Sequence, residues 1–87
     1  MSKHENVNKH YVLRNGLSDL RSLMYKKIPL QNLTQEQDAD WQAIADKNKY
    51  YSMTDPDDID YDAEWVFINR LEAKYYVLPD IKSWKET

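Results

Sequence analysis

Cysteine is absent from the chain, and glycine occurs once in 87 residues. Without thiols there is neither a disulfide framework nor a thiolate metal site, which fits a reducing compartment and makes the cytoplasm the expected location. One glycine, where about 7% is usual, leaves few positions for the tight turns of hairpins and phosphate loops, so helices are favoured. No stretch comes near the ~20 apolar residues that span a bilayer, and the start MSKHENVNKH lacks the apolar segment of a signal peptide. Histidine is limited to His4 and His10, in or next to a polar start expected to fray over residues 1–7. Neither is placed like a general base in a preorganised pocket. G-x-S-x-G, P-loop, G-x-G-x-x-G and H-E-x-x-H patterns are missing too. An enzyme is therefore not expected, and no catalytic residue, metal or cofactor is assigned.

What is present is charge and aromatic surface. The charged fraction is 31% and the hydrophobic fraction 41%, which with 13% aromatics argues for a folded chain over a disordered one. A chain of 87 residues builds one domain with a small core, so residues 1–87 are read as a single domain. The net charge of −3 hides an asymmetry: residues 1–29 hold six Lys/Arg and two acids, whereas 30–64 hold two Lys/Arg and ten acids. Such polarity bears on partners and solubility rather than on fold.

Periodicity predicts an all-α fold, a small bundle of three main helices over about 12–27, 34–52 and 56–78, with a short C-terminal turn carrying Ile81 and Trp84. Leu13, Leu17, Leu20, Leu23, Met24 and Ile28 fall on one arc of a helical wheel, with Arg14, Ser18, Arg21, Ser22 and Lys26 outside it. Tyr11, Val12 and Leu13 followed by Asn15-Gly16 also fit a short N-terminal strand and turn, so residues 8–16 stay open between helix, strand and loop. Pro29 stops the first helix. Thr34 and Gln37 form a capping-box signature for the second, whose apolar face of Trp41, Ile44, Ala45 and Tyr51 is thin. Thr54 or Asp55 then caps a third helix with Pro56 at its first position, and Pro79 ends it.

The third helix has two apolar stripes, Tyr61, Trp65, Ile68, Leu71 and Tyr75 on one side and Ile59, Ala63, Val66, Ala73 and Val77 on the other. A helix apolar on two sides is either central in its domain or covers a second surface with another molecule. Its start, DPDDIDYDAE, places Asp55, Asp57, Asp58, Asp60, Asp62 and Glu64 within ten residues. Asp58, Asp60 and Asp62 match the opening of a calcium loop, but loop position 6 is not glycine and position 12 is Asn69 instead of glutamate, so no metal is expected. A cap and a favourable helix dipole account for Asp55, Asp57 and Asp58, and the remaining acids exceed what a helix start needs. With Asp38, Asp40 and Asp46 on the preceding helix, they suit a surface that meets a basic one.

Seven Tyr and three Trp include the doublets Tyr50-Tyr51 and Tyr75-Tyr76, and neighbours on a helix point ~100° apart, so one of each pair should stay outside a small core. Tyr50, Met53, Tyr61 and Trp65, residue types favoured at interfaces, border the acidic run. The expected function is accordingly non-catalytic protein binding. In its most concrete form, a small inhibitor or regulator places this acidic-aromatic patch on a basic or nucleic-acid-binding site of a larger protein, in the style of phage or mobile-element anti-defence proteins, an analogy of size and charge alone. Two alternatives belong to other classes: a helix-turn-helix-like DNA-binding regulator using Arg14, Arg21, Lys26 and Lys27, and a homo-oligomeric adaptor built on the second stripe of the third helix.

Overall fold

The computed structural model describes residues 3–81, with side chains from Asn6 onward. Helix α1 spans Lys3–Lys27, α2 spans Gln35–Met53 and α3 spans Tyr61–Tyr76; a 3-10 turn, Pro56–Asp58, lies between α2 and α3. No strand occurs among the described residues. The region that fitted a short strand is instead the first half of α1, which starts well before residue 12 and runs without a break through Gly16. At 1.5 Å per residue its 25 residues reach about 37 Å, most of the 49 Å long axis of the molecule. Residues 1–2, part of the start expected to fray, lie outside the described residues, as does Trp84 of the expected C-terminal turn.

Side-chain contacts fix the arrangement. His10 and Tyr25 of α1 meet Tyr51 and Trp41 of α2, so these two helices run antiparallel. Asn6 and Gly16 meet Tyr61 and Trp65, so α1 and α3 run parallel, and the bundle is up-down-up. Leu13, Leu17, Leu20 and Met24 of α1 and Ile28 just after it are buried, following the periodic pattern of the sequence. Ile44 and Tyr51 of α2, Ile59 of the link and Ile68, Leu71 and Tyr75 of α3 complete the core, with Trp41, Trp65 and Phe67 packed at its edges.

The central helix is α1, because its backbone lies close to both α2 and α3. Gly16 explains the close approach to α3. A β-carbon there would sit 2.5 Å from Cη2 and 2.7 Å from Cζ3 of Trp65, so the glycine gives space to an indole rather than a turn to the chain. The turn that the chain does need, between α1 and α2, is taken by Asn32 at φ 59°, a conformation asparagine tolerates better than most residues. Between α2 and α3 the contacts are made by long polar side chains: Tyr51 and Lys47 to Glu64, and Lys74 and Tyr75 to Asp40.

Helix ends follow local chemistry. Thr34 Oγ1 accepts the Gln37 N–H at 3.0 Å and Gln37 Oε1 accepts the Thr34 N–H at 3.1 Å, the reciprocal box expected at the start of α2. His10 donates Nε2–H to the Tyr51 carbonyl at 2.9 Å, satisfying one of the last carbonyls of α2. At the other end, the Ile81 N–H bonds the Lys26 carbonyl at 2.8 Å, and Lys27 reaches the Leu78 carbonyl and Asp80, both at 2.6 Å. The segment after α3 is thereby tied to the C-terminus of α1.

Candidate functional site

The acidic run contains two helical starts where the sequence suggested one. Asp55 is the N-cap of the 3-10 turn and accepts the Asp57 N–H at 2.9 Å, with Pro56 at the first position. Ile59 then adopts an extended conformation (φ −96°, ψ 133°) that turns its side chain into the core, where it is 7% exposed. That inward turn prevents helix from continuing through 56–60, so the third helix begins at Tyr61 instead of residue 56 and ends at Tyr76 instead of 78. Asp60 caps it by accepting the Ala63 N–H at 3.2 Å. Part of the apparent surplus of acid is therefore the need for a second cap.

The remaining carboxylates divide. Asp57 accepts the Asn6 amide at 2.6 Å and thereby fastens the turn to the start of α1. Asp58 and Asp62 are exposed, and their carboxylates bond no described residue. None of Asp55, Asp57, Asp58, Asp60 and Asp62 has an ion-pair partner among the described residues. Glu64 does not belong with them: it is 7% exposed, accepts the Tyr51 hydroxyl at 2.9 Å and pairs with Lys47 at 2.8 Å. Burial and the bond to Glu64 both push the Tyr51 hydroxyl well above its ordinary pKa. An interhelical strut between α2 and α3 replaces the surface role expected of Glu64, since a carboxylate at this depth is stable only when paired.

Asp40 is likewise not part of the acidic surface. Its Oδ2 accepts Lys74 Nζ at 2.7 Å and the Tyr75 hydroxyl at 2.5 Å, near the opposite end of the bundle, and Lys74 also pairs with Glu36. Burial presses the Lys74 ammonium down, but its bonds to Asp40 and Glu36 outweigh this and hold it above the usual lysine value. The Tyr75 hydroxyl is pushed up to about 12 by burial and by its bond to Asp40.

Of the aromatic residues expected beside the acids, Tyr50 and Met53 are exposed, Met53 by 74%. Tyr61 and Trp65 are half-buried at the junction of α1 and α3. The Tyr61 hydroxyl donates to the Pro56 carbonyl at 2.6 Å and also lies 3.2 Å from the Asn6 carbonyl; burial and the nearby Asp57 and Asp55 raise its pKa. Trp65 is occupied by Gly16. Each tyrosine doublet splits as its 100° offset requires, with Tyr51 and Tyr75 inside and Tyr50 and Tyr76 outside. What remains is a rim: the exposed end of α2, Tyr50 and Met53, leading along the chain into five exposed aspartates.

On the basic first helix, Arg14, Arg21 and Lys26 are exposed, whereas Lys27 is engaged with Asp80 and Leu78. The second stripe of α3 faces outward: Val66 and Val77 are 67% and 77% exposed, and only Ile59, which precedes the helix, is buried. No helix of the described residues is long and apolar enough to cross a membrane, and no group of three or more His, Cys, Asp or Glu among them is arranged to hold a metal ion. Comparison with protein-family models, curated proteins and solved structures finds no match to this chain.

Proposed function

We propose that this chain is a non-catalytic protein-binding domain that sets its acidic rim, Asp55, Asp57, Asp58, Asp60 and Asp62, with Tyr50 and Met53, against a basic surface of a larger protein. The observation that carries this reading is the contrast in pairing. Glu36, Asp40 and Glu64 meet lysines of another helix, while five aspartates within eight positions meet none among the described residues. Close like charges repel, and a cationic partner relieves that cost while the charge speeds encounter and suppresses wrong partners. Tyr50 and Met53 add the apolar contact that charge alone does not supply. The most concrete form is an inhibitor or regulator that occupies a nucleic-acid-binding site, because a row of carboxylates competes for the cations that hold phosphates.

Immobilised full-length chain, exposed to a cell lysate and then washed with excess duplex DNA, tests that form. A protein captured at low salt and released by the duplex is expected. Capture that withstands the duplex would place the partner's contact elsewhere, and an absence of any specific capture would remove the binding reading.

A further inference from the structure

A second surface differs in charge from the rim. Between α1 and α2 lies a cleft of about 270 Å³, with Arg14, Ser18 and Arg21 on one wall, Asn48 of α2 on the other, and Leu17 and Ile44 at its floor. Ser18 follows Arg14 by four residues and precedes Arg21 by three, so all three share one helix face, and the arginines stand about 10.5 Å apart along the axis with the hydroxyl between them. A guanidinium on a long flexible stem spans half that distance readily, so both can reach the space over Ser18. Neither guanidinium has an ion pair, hydrogen bond or ring contact with another described residue.

The lining of the cleft holds no carboxylate, in a chain with 15 acids and a net charge of −3. The clefts between α1 and α3 are different, one lined by Asp19 and Glu72 and the other by Asp62. Two unpaired guanidiniums, a hydroxyl and an amide, brought by two helices to one cleft whose lining has no acid, form a donor set for a tetrahedral oxyanion. We infer that this cleft binds the phosphate group of a small ligand, with Arg14 and Arg21 taking its oxygens from either side and Ser18 and Asn48 completing the contact. The volume is near the lower end of small-molecule sites, which suits a phosphate with a short attachment. This site is independent of the acidic rim.

The test is a titration of the ¹⁵N-labelled full chain at low ionic strength, following backbone amides and arginine Nε resonances, with inorganic phosphate, a nucleoside monophosphate and a short DNA duplex in separate arms. Saturable shifts centred on Arg14, Ser18, Arg21 and Asn48 are expected with inorganic phosphate. A tighter response to the nucleotide identifies an organic phosphate as the ligand, and an equal response identifies the free ion. Arg14→Gln and Arg21→Gln should each weaken binding by about tenfold, the double variant should abolish it, and Lys26→Gln, which removes a charge outside the cleft, should leave it unchanged. Linear shifts without saturation, or an equal loss in Lys26→Gln, would overturn the site. Shifts of the same resonances by duplex at lower concentration than by nucleotide would reject a small ligand and assign the face to nucleic acid.

Discussion

Two sets of carboxylates in this molecule have opposite fates. Glu36, Asp40 and Glu64 sit across an interhelical gap from Lys74 or Lys47, and with Tyr51 and Tyr75 they join α2 to α3. Asp55, Asp57, Asp58, Asp60 and Asp62 lie on the link and the first turn of α3, where their protein contacts are backbone N–H groups and one asparagine amide. Density of charge along the chain does not separate the sets, since Glu64 is two residues from Asp62. What separates them is whether another helix places a cation opposite. The first set serves the fold, and the second keeps its charge directed outward.

Breaking the paired set should cost the most. Glu64→Ala leaves Lys47 and the buried Tyr51 hydroxyl without their acceptor, and should lower the unfolding free energy by about 3 kcal/mol in a denaturant titration. Asp40→Ala, at a more exposed pair, should cost about 2 kcal/mol. The same network predicts an alkaline limit. Tyr75, Tyr51 and Lys74 are all raised above their ordinary values of 10.0, 10.0 and 10.5, so the stability they contribute is complete below pH ~10 and is lost as pH rises through the folded-state values, about 12 for Tyr75. The denaturation midpoint should therefore hold from pH 7 to 10 and then fall, less steeply in Tyr75→Phe. In the unpaired set, Asp60→Ala removes the cap of α3 and should cost about 1 kcal/mol. Asp62→Asn should leave the midpoint unchanged within error. A large loss in Asp62→Asn would show that the two sets are not distinct.

Much of the fold was legible. The i, i+3, i+4 spacing of Leu13 through Ile28 identified the core face of α1, and Thr34 with Gln37 identified the start of α2, because both signals are local. Asn15-Gly16 misled, since its turn preference was outweighed by the space that Trp65 requires, a contact between residues 49 positions apart. The two stripes of α3 were visible, but not which helix would be central. That depended on Gly16 letting α1 approach α3 closely, and α1 took the middle, leaving Val66 and Val77 outside. At the candidate site, Asp55 as a cap could be read from Pro56 beside it. The removal of Glu64 from the surface could not, because its partners Lys47 and Tyr51 lie on α2 at distances in sequence that helical periodicity within α3 does not reach. One signal was present: Glu64 shares the face of Tyr61, Ile68, Leu71 and Tyr75, and a carboxylate in that register has to find a cation.

The central claim is that the rim carboxylates left over from capping and from the Asn6 bond, Asp58 and Asp62, serve recognition and not folding. The direct measurement is partner retention by Asp58→Lys and Asp62→Lys combined, a variant that spares the caps Asp55 and Asp60 and the bond of Asp57 to Asn6, alongside its unfolding midpoint. The account predicts a midpoint close to wild type and loss of the captured partner. A folded variant that retains its partner as well as the wild type does would contradict it.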